Sequence, residues 1–191
     1  MRLLSYSATS SEPVSVDEAR EACRIDDAIM DRQIAIQIAA AREQAEGTTG
    51  RFYRTQTWRE ELTDWPASAA ISLKLWNPAA VVLRYRSAAS PDVWTVLSAS
   101  AYRWSAIGPN TSISVASGTS WPTLATDDYG ARVQIDVTVS PDRADQAPDC
   151  VQAYILASVA AWVTNPEGLM PANMATNPLY SRLLDSERTW A

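Results

Sequence analysis

The side chains able to do chemistry are few, and their spacing works against catalysis. Three pairs of adjacent identical carboxylates occur, Asp26-Asp27, Glu60-Glu61 and Asp127-Asp128. A carboxylate acid–base pair must flank one bond from two sides of a shared cleft. Glu60 and Glu61 fall in a strand-like run, where neighbouring side chains point to opposite faces, so they are poorly placed to share a substrate. Asp26-Asp27 suits the start of a helix, and Asp127-Asp128 suits a turn before Gly130. Lys74 is the single lysine. No GxxxxGK[ST] loop surrounds it, and between Leu73 and Leu75 it reads as the solvated position of a strand. Histidine is absent from all 191 residues, which removes Ser-His-Asp and Cys-His triads along with the imidazole base. Cys23 and Cys150 lie far apart and outside any CxxC pair, whereas a zinc site needs about four N or S ligands. The expectation is no enzymatic activity, no cofactor and no metal.

Arg51, Arg54 and Arg59, interleaved with Phe52, Tyr53 and Trp58, have the composition of a sequence-independent nucleic-acid patch. The whole chain carries a formal charge of -6, which gives no general basic footprint for phosphate. The alternative is a helix-to-strand corner, with packed aromatics and arginines paired to acids, and it is the preferred reading. Charge also divides the chain. Residues 12–46 carry a net -5, residues 51–105 a net +3, and residues 127–191 a net -5.

The elements that would position these groups follow the same division. Ser15-Val-Asp-Glu18 is a capping box, and it predicts a short helix to about Arg24. A longer helix is expected from Asp26-Asp27, with Ile34, Ile38, Ala41 and Ala45 inward and Gly50 ending it. Strands are predicted at 55–62, 71–75, 81–86, 94–97, 101–104, 112–115 and 131–139, separated by Pro, Asn, Asp and Gly turns. Along 131–139, Val133, Ile135, Val137 and Val139 alternate with Arg132, Gln134, Asp136 and Thr138, the pattern of a sheet with one wet face. Six of the eight tryptophans fall in this strand region. Pro148-Asp149 opens a further helix with Val151, Ile155, Val159 and Trp162 on one side. The expected organisation is one structural unit: N-terminal helices in 1–50, a β-strand insertion in 51–140, a C-terminal core helix in 141–165, and a linker and tail in 166–191. The fold class is α+β, a helical body with an inserted antiparallel sheet region and a tail helix.

The opening Met1-Arg2-Leu3-Leu4 turns polar at once, without the apolar core of an export signal. The apolar run 151–163 is too short to span a bilayer. Cytoplasmic synthesis with reduced thiols and no membrane contact is expected. At the other end, Leu179, Tyr180, Leu183 and Leu184 form an apolar stripe after a Pro/Asn-rich linker. Such a tail is either a lid on its own domain or a helix for a partner's groove.

The order of these pieces resembles the head–tail connector family of long-tailed bacteriophages, also called head-completion or portal adaptor proteins, in a longer form with a β insertion. The resemblance rests on Glu12-Pro-Val-Ser-Val-Asp-Glu-Ala19, Arg24-Ile-Asp-Asp27, Ala39-Ala-Ala-Arg-Glu43, Thr49-Gly-Arg51 and Thr55-Gln-Thr-Trp58. Further along it rests on Ser120-Trp-Pro122, Ala131–Val139 and Pro148–Trp162. It implies a virion protein that forms a twelve-fold ring with copies of itself. That ring lies between portal protein and stopper or tail-terminator protein at the head–tail interface of a phage, prophage or gene transfer agent. Double-stranded DNA would pass through it without tight or specific binding, which a net negative charge suits. The unlike charges of the segments suit heterologous ring contacts. Given the resemblance, Leu179, Tyr180, Leu183, Leu184 and Trp190 are the expected portal-binding residues. The competing reading is a carbohydrate- or envelope-binding β module of a virion, drawn from the tryptophans.

Overall fold

The computed structural model describes residues 3–8, 11–68, 70–76, 78–107, 110–126, 130–141, 147–164 and 182–188. A first strand, β1 (Leu3–Ala8), precedes helices α1 (Val16–Cys23) and α2 (Asp31–Thr49). Seven strands follow: β2 (Gln56–Leu62), β3 (Ala70–Leu73), β4 (Pro78–Ser87), β5 (Ser90–Val96), β6 (Tyr102–Ile107), β7 (Asn110–Val115) and β8 (Val133–Val139). Helix α3 (Asp149–Thr164) and a 3-10 turn (Asp185–Glu187) complete the described elements. The fold is α+β. Its contacts divide into two compact units, a strand unit of Thr55–Ser140 with β1, and a helical unit from Ser10–Arg54 and Pro141–Trp190. The helical unit is therefore built from two separated stretches of chain. Among the described residues no helix is long and apolar enough to cross a membrane.

In the helical unit the capping box forms as its residue types dictate. The Ser15 hydroxyl accepts the Glu18 amide at 3.2 Å, and the Glu18 carboxylate accepts the Ser15 amide at 2.7 Å. That backbone hydrogen bond holds the Glu18 carboxyl below its usual value. Helix α2 starts at Asp31, later than Asp26-Asp27 had suggested. The Asp27 carboxylate instead accepts the Ile29 amide at 3.1 Å, a local turn that competes with helix. Gly50, in the left-handed region at φ 72°, ends α2 and donates its amide to Glu46 O. Ile34, Ile38, Ala41 and Ala45 are 0–1% exposed. They share a core with Ala19, Tyr53, Val151, Ile155 and Val159.

Arg42 lies beside that stripe and is itself only 1% exposed. Its Nε lies 2.8 Å from Glu12, Nη1 2.7 Å from Glu46 and Nη2 3.2 Å from Glu43. Three carboxylates replace the water this guanidinium gives up, which is the condition for burying a charge. Glu12 also takes Arg54, so the chain just before α1 and the chain after α2 are tied to one network.

The strand unit holds two antiparallel sheets, ordered β1-β2-β8-β4-β5 and β3-β7-β6. Val133, Ile135, Val137 and Val139 of the central strand are 0–1% exposed, as are Leu83, Leu73 and Ile113. The Tyr102 hydroxyl of the small sheet donates to Val81 O of the large one at 2.6 Å. The other face of β8 is less wet than alternation predicts, with Gln134 and Asp136 only 8% and 9% exposed. Long side chains from both flanking strands cover it. Arg59 sits directly across from Asp136 and grips it with two bonds of 2.6 and 2.9 Å, while Arg84 reaches it from β4. Burial pushes the Asp136 carboxyl up, but hydrogen bonds and charge from the two arginines outweigh burial and hold it below the usual value.

Strand β1 is absent from the sequence reading. It pairs with β2 in the register Tyr6↔Trp58, and main-chain bonding of this kind needs no apolar side-chain pattern. Thr55 and Ser140, the first and last residues of the strand unit's main segment, meet through their hydroxyls at 3.3 Å.

Candidate assembly surface

Of the five expected portal-binding residues, Leu183 and Leu184 are described, and Leu179, Tyr180 and Trp190 lie outside the described residues. So does the Pro/Asn-rich linker. Leu184 is 1% exposed, in the same core as Ile38 and Ile155, and Leu183 packs half-buried against it. Glu187, on the 3-10 turn that follows, lies 3.3 Å from Arg51 at the end of α2. The described part of the tail is thus held on the chain's own helical unit. A truncation at residue 178 would remove a core leucine along with any partner contact.

The remaining chemical candidates disperse. Glu60 and Glu61 occupy opposite faces of β2. Glu61 accepts Gln134 Nε2 at 2.8 Å, while burial pushes the Glu60 carboxyl up. Asp127-Asp128 lies outside the described residues, and Lys74 is exposed just past the end of β3. Arg51, Arg54 and Arg59 each pair with a carboxylate, of Glu187, Glu12 and Asp136 respectively, so the patch of three cations is neutralised within the fold. Tyr53 is buried, donates to Thr49 Oγ1 at 2.9 Å, and has its phenol pushed up to about 12, chiefly by burial. Cys23 and Cys150 are free. Among the described residues no group of three or more His, Cys, Asp or Glu could hold a metal ion.

Two features escaped sequence reasoning. Trp65 and Trp121 stack with ring centres 4.5 Å apart and planes 7° apart, and the Trp65 indole donates to Pro122 O at 2.9 Å. Arg132 fastens the same loops, donating to Thr63 O at 2.6 Å and Ala125 O at 2.8 Å. These tryptophans serve the fold. The second feature is a set of large apolar side chains left in water: Ile29 at 87%, Ile36 at 62%, Val93 and Val96 at 59%, and Trp104 at 39% exposure. Ile29 had a sequence signal, an isoleucine two residues past an Asp-Asp pair in a short inter-helix segment. Trp104 had none, because half-exposed and core tryptophans look alike in a strand. Trp104 borders an open groove of about 500 Å³ with Ala79, Ala80, Ala99 and Arg103. What the described surface offers outward is apolar contact and unlike charge, the means of association between proteins.

The sequence matches no protein-family model and no curated protein. Solved structures of the same fold include a chain in the neck of an empty gene transfer agent particle computed with C6 symmetry. It has a TM-score of 0.72 at 22% identity, over 98% of this chain and 97% of that one. A chain in the virion of a native gene transfer agent particle gives 0.69 at 22% identity, over 98% and 97% of the two chains. A chain in the neck of a native particle computed with C12 symmetry gives 0.68 at 22% identity, over 100% and 97%. The fold implied by the connector resemblance is the fold found in these particles.

Proposed function

We propose that this chain is a structural head–tail adaptor of a tailed phage or phage-like particle, a ring of identical subunits between portal and stopper or tail around the DNA exit channel. The observation that carries the reading is the end-to-end correspondence of fold with a chain in a gene transfer agent neck, over 98% and 97% of the two chains. Neck structures computed with C6 and C12 symmetry favour a ring, of twelve copies in the reading taken here. The formal charge of -6 suits a wall that lets duplex DNA slide without gripping its phosphates. The absence of histidine and the dispersal of the carboxylate pairs suit a structural role over a catalytic one. In this reading the protein is assembled in the bacterial cytoplasm and ends in the particle.

The tail carries the portal contact in this proposal. With Leu184 and Leu183 committed to the chain's own core, the contact falls first to Leu179, Tyr180 and Trp190. Each copy would bind weakly and the ring would multiply the contact. Two of the tryptophans that would serve a sugar-binding β module, Trp65 and Trp121, stack on each other instead. The test is to assemble portal-bearing heads with wild-type protein, with none, and with Leu179→Asp/Tyr180→Asp. Wild-type protein should add a ring under the portal and yield tailed particles; the other two should leave heads tailless or leaking DNA. Tailed particles formed without the protein would overturn the adaptor role, and tailed particles formed with the double variant would overturn the tail's part in it.

A further inference from the structure

Ile29 projects into water at 87% exposure, from a turn that also carries exposed Asp26 and Asp27. A large side chain left this bare is a knob without a hole among the described residues of its own chain. The strand unit carries an open groove of about 500 Å³, lined by buried Val81 and Tyr102 and by exposed Ala79, Ala80, Ala99, Arg103 and Trp104. Alanines leave room where larger side chains would fill it, Trp104 supplies an apolar wall at 39% exposure, and Arg103 supplies an exposed cation at the rim. We propose that the Asp26–Ile29 turn of one copy docks in the Trp104 groove of the next, Ile29 against the alanines and Trp104, Asp26 against Arg103. This deepens the adaptor reading and rests on it, because it names the contact that joins neighbouring copies.

The charges favour this occupant over others. The turn belongs to a segment of net -5 and the groove to a segment of net +3. Two different patches make a heterologous contact, which propagates head to tail and closes into a ring when the rotation allows. Val93 and Val96 are also exposed, but they lie on edge strand β5 beside Pro91 and Asp92, residues that guard an edge against pairing.

The test uses the full-length protein, measured by mass photometry with and without portal. Ile29→Asp and Trp104→Ala should each weaken association by about tenfold or more, as loss of a central apolar anchor does. Ile29 is almost fully exposed, so Ile29→Asp should leave the melting temperature close to wild type, and its loss of association cannot be laid to unfolding. Each variant keeps one of the two patches. An equimolar mixture should therefore form dimers of one copy of each and nothing larger. Arg103→Glu should weaken the ring, and adding Asp26→Arg in the same chain should restore it. If wild type forms rings and both single variants form them equally well, the contact lies elsewhere and this inference falls while the ring stands. If wild type stays monomeric with portal as without it, the ring reading itself falls, and this contact with it.

Discussion

Leu184→Ala asks whether the last described turn belongs to the core or merely lies on it. The leucine is 1% exposed and packs among α2 and α3 residues that are themselves almost fully buried. Three carbons are lost, which at about 0.8 kcal/mol per buried methylene is about 2.4 kcal/mol of transfer free energy. A residual cavity adds to this, and leucine-to-alanine changes in cores run to about 2.7–5.0 kcal/mol. The low end applies here, because a single 3-10 turn can settle into the space more readily than a long helix. The Arg51–Glu187 pair that also holds the turn is only part-buried and adds about 0–1 kcal/mol. The expected loss is therefore about 2.5–3 kcal/mol. With a urea slope of about 1–3 kcal/mol per molar, the midpoint should fall by roughly 1–3 M, read by far-ultraviolet circular dichroism. Leu183→Ala, half-buried, should cost about 1 kcal/mol and so less than its neighbour. If both substitutions left the midpoint where wild type has it, the leucines would be free in solution and the packing described above would be wrong.

Two further outcomes follow from the buried charges. Arg42→Ala should destabilise by about 3–5 kcal/mol, since it removes the countercharge of the nearly buried Glu46 carboxylate, and a small drop in melting temperature would refute the network. Asp136 has a native pKa below its unfolded value, so in the window between the two the unfolded chain binds more protons than the folded one. Its contribution is present above the unfolded value near 3.8 and is lost as pH falls toward the native value. The urea-midpoint difference between wild type and Asp136→Asn should therefore shrink on acidification through that window, and a difference that stays flat would remove the arginine grip as its cause.

How much was legible in the sequence depended on how local each signal was. The capping box needed only Ser15 and Glu18, and the α2 face needed only a repeat of four and three. Glycine at position 50 was the natural end for that helix, and it ends there. The start of α2 was misplaced because two aspartates suit a helix N-terminus and an Asx turn equally well until the Ile29 amide chooses between them. Strand β1 was missed because its place depends on hydrogen bonds to β2, some fifty residues away. The half-dry polar face of β8 depended on which arginines lie across from Asp136, information held in strand register and not in one strand's pattern. The tail's stripe was visible in the sequence, but the side of it that meets the chain's own core was not. An apolar face looks the same whichever surface covers it.

The helical unit is discontinuous, with seven of the eight strands, β2 to β8, inserted between α2 and α3. Before the strands pair, bringing those helices together means closing a loop of roughly 100 residues, an entropic cost of about 4 kcal/mol beyond the length-independent part. The pairing of β2 with β8, which brings Thr55 beside Ser140, closes that loop in advance. Folding should thus run from the inserted sheet to the flanking helices, and substitutions that loosen β8 should slow formation of a helical core they do not touch. The same closure makes the sheet a cassette. Because Thr55 and Ser140 lie side by side, the loops between β2 and β8 can be lengthened or shortened without moving the two points where the chain enters and leaves that segment.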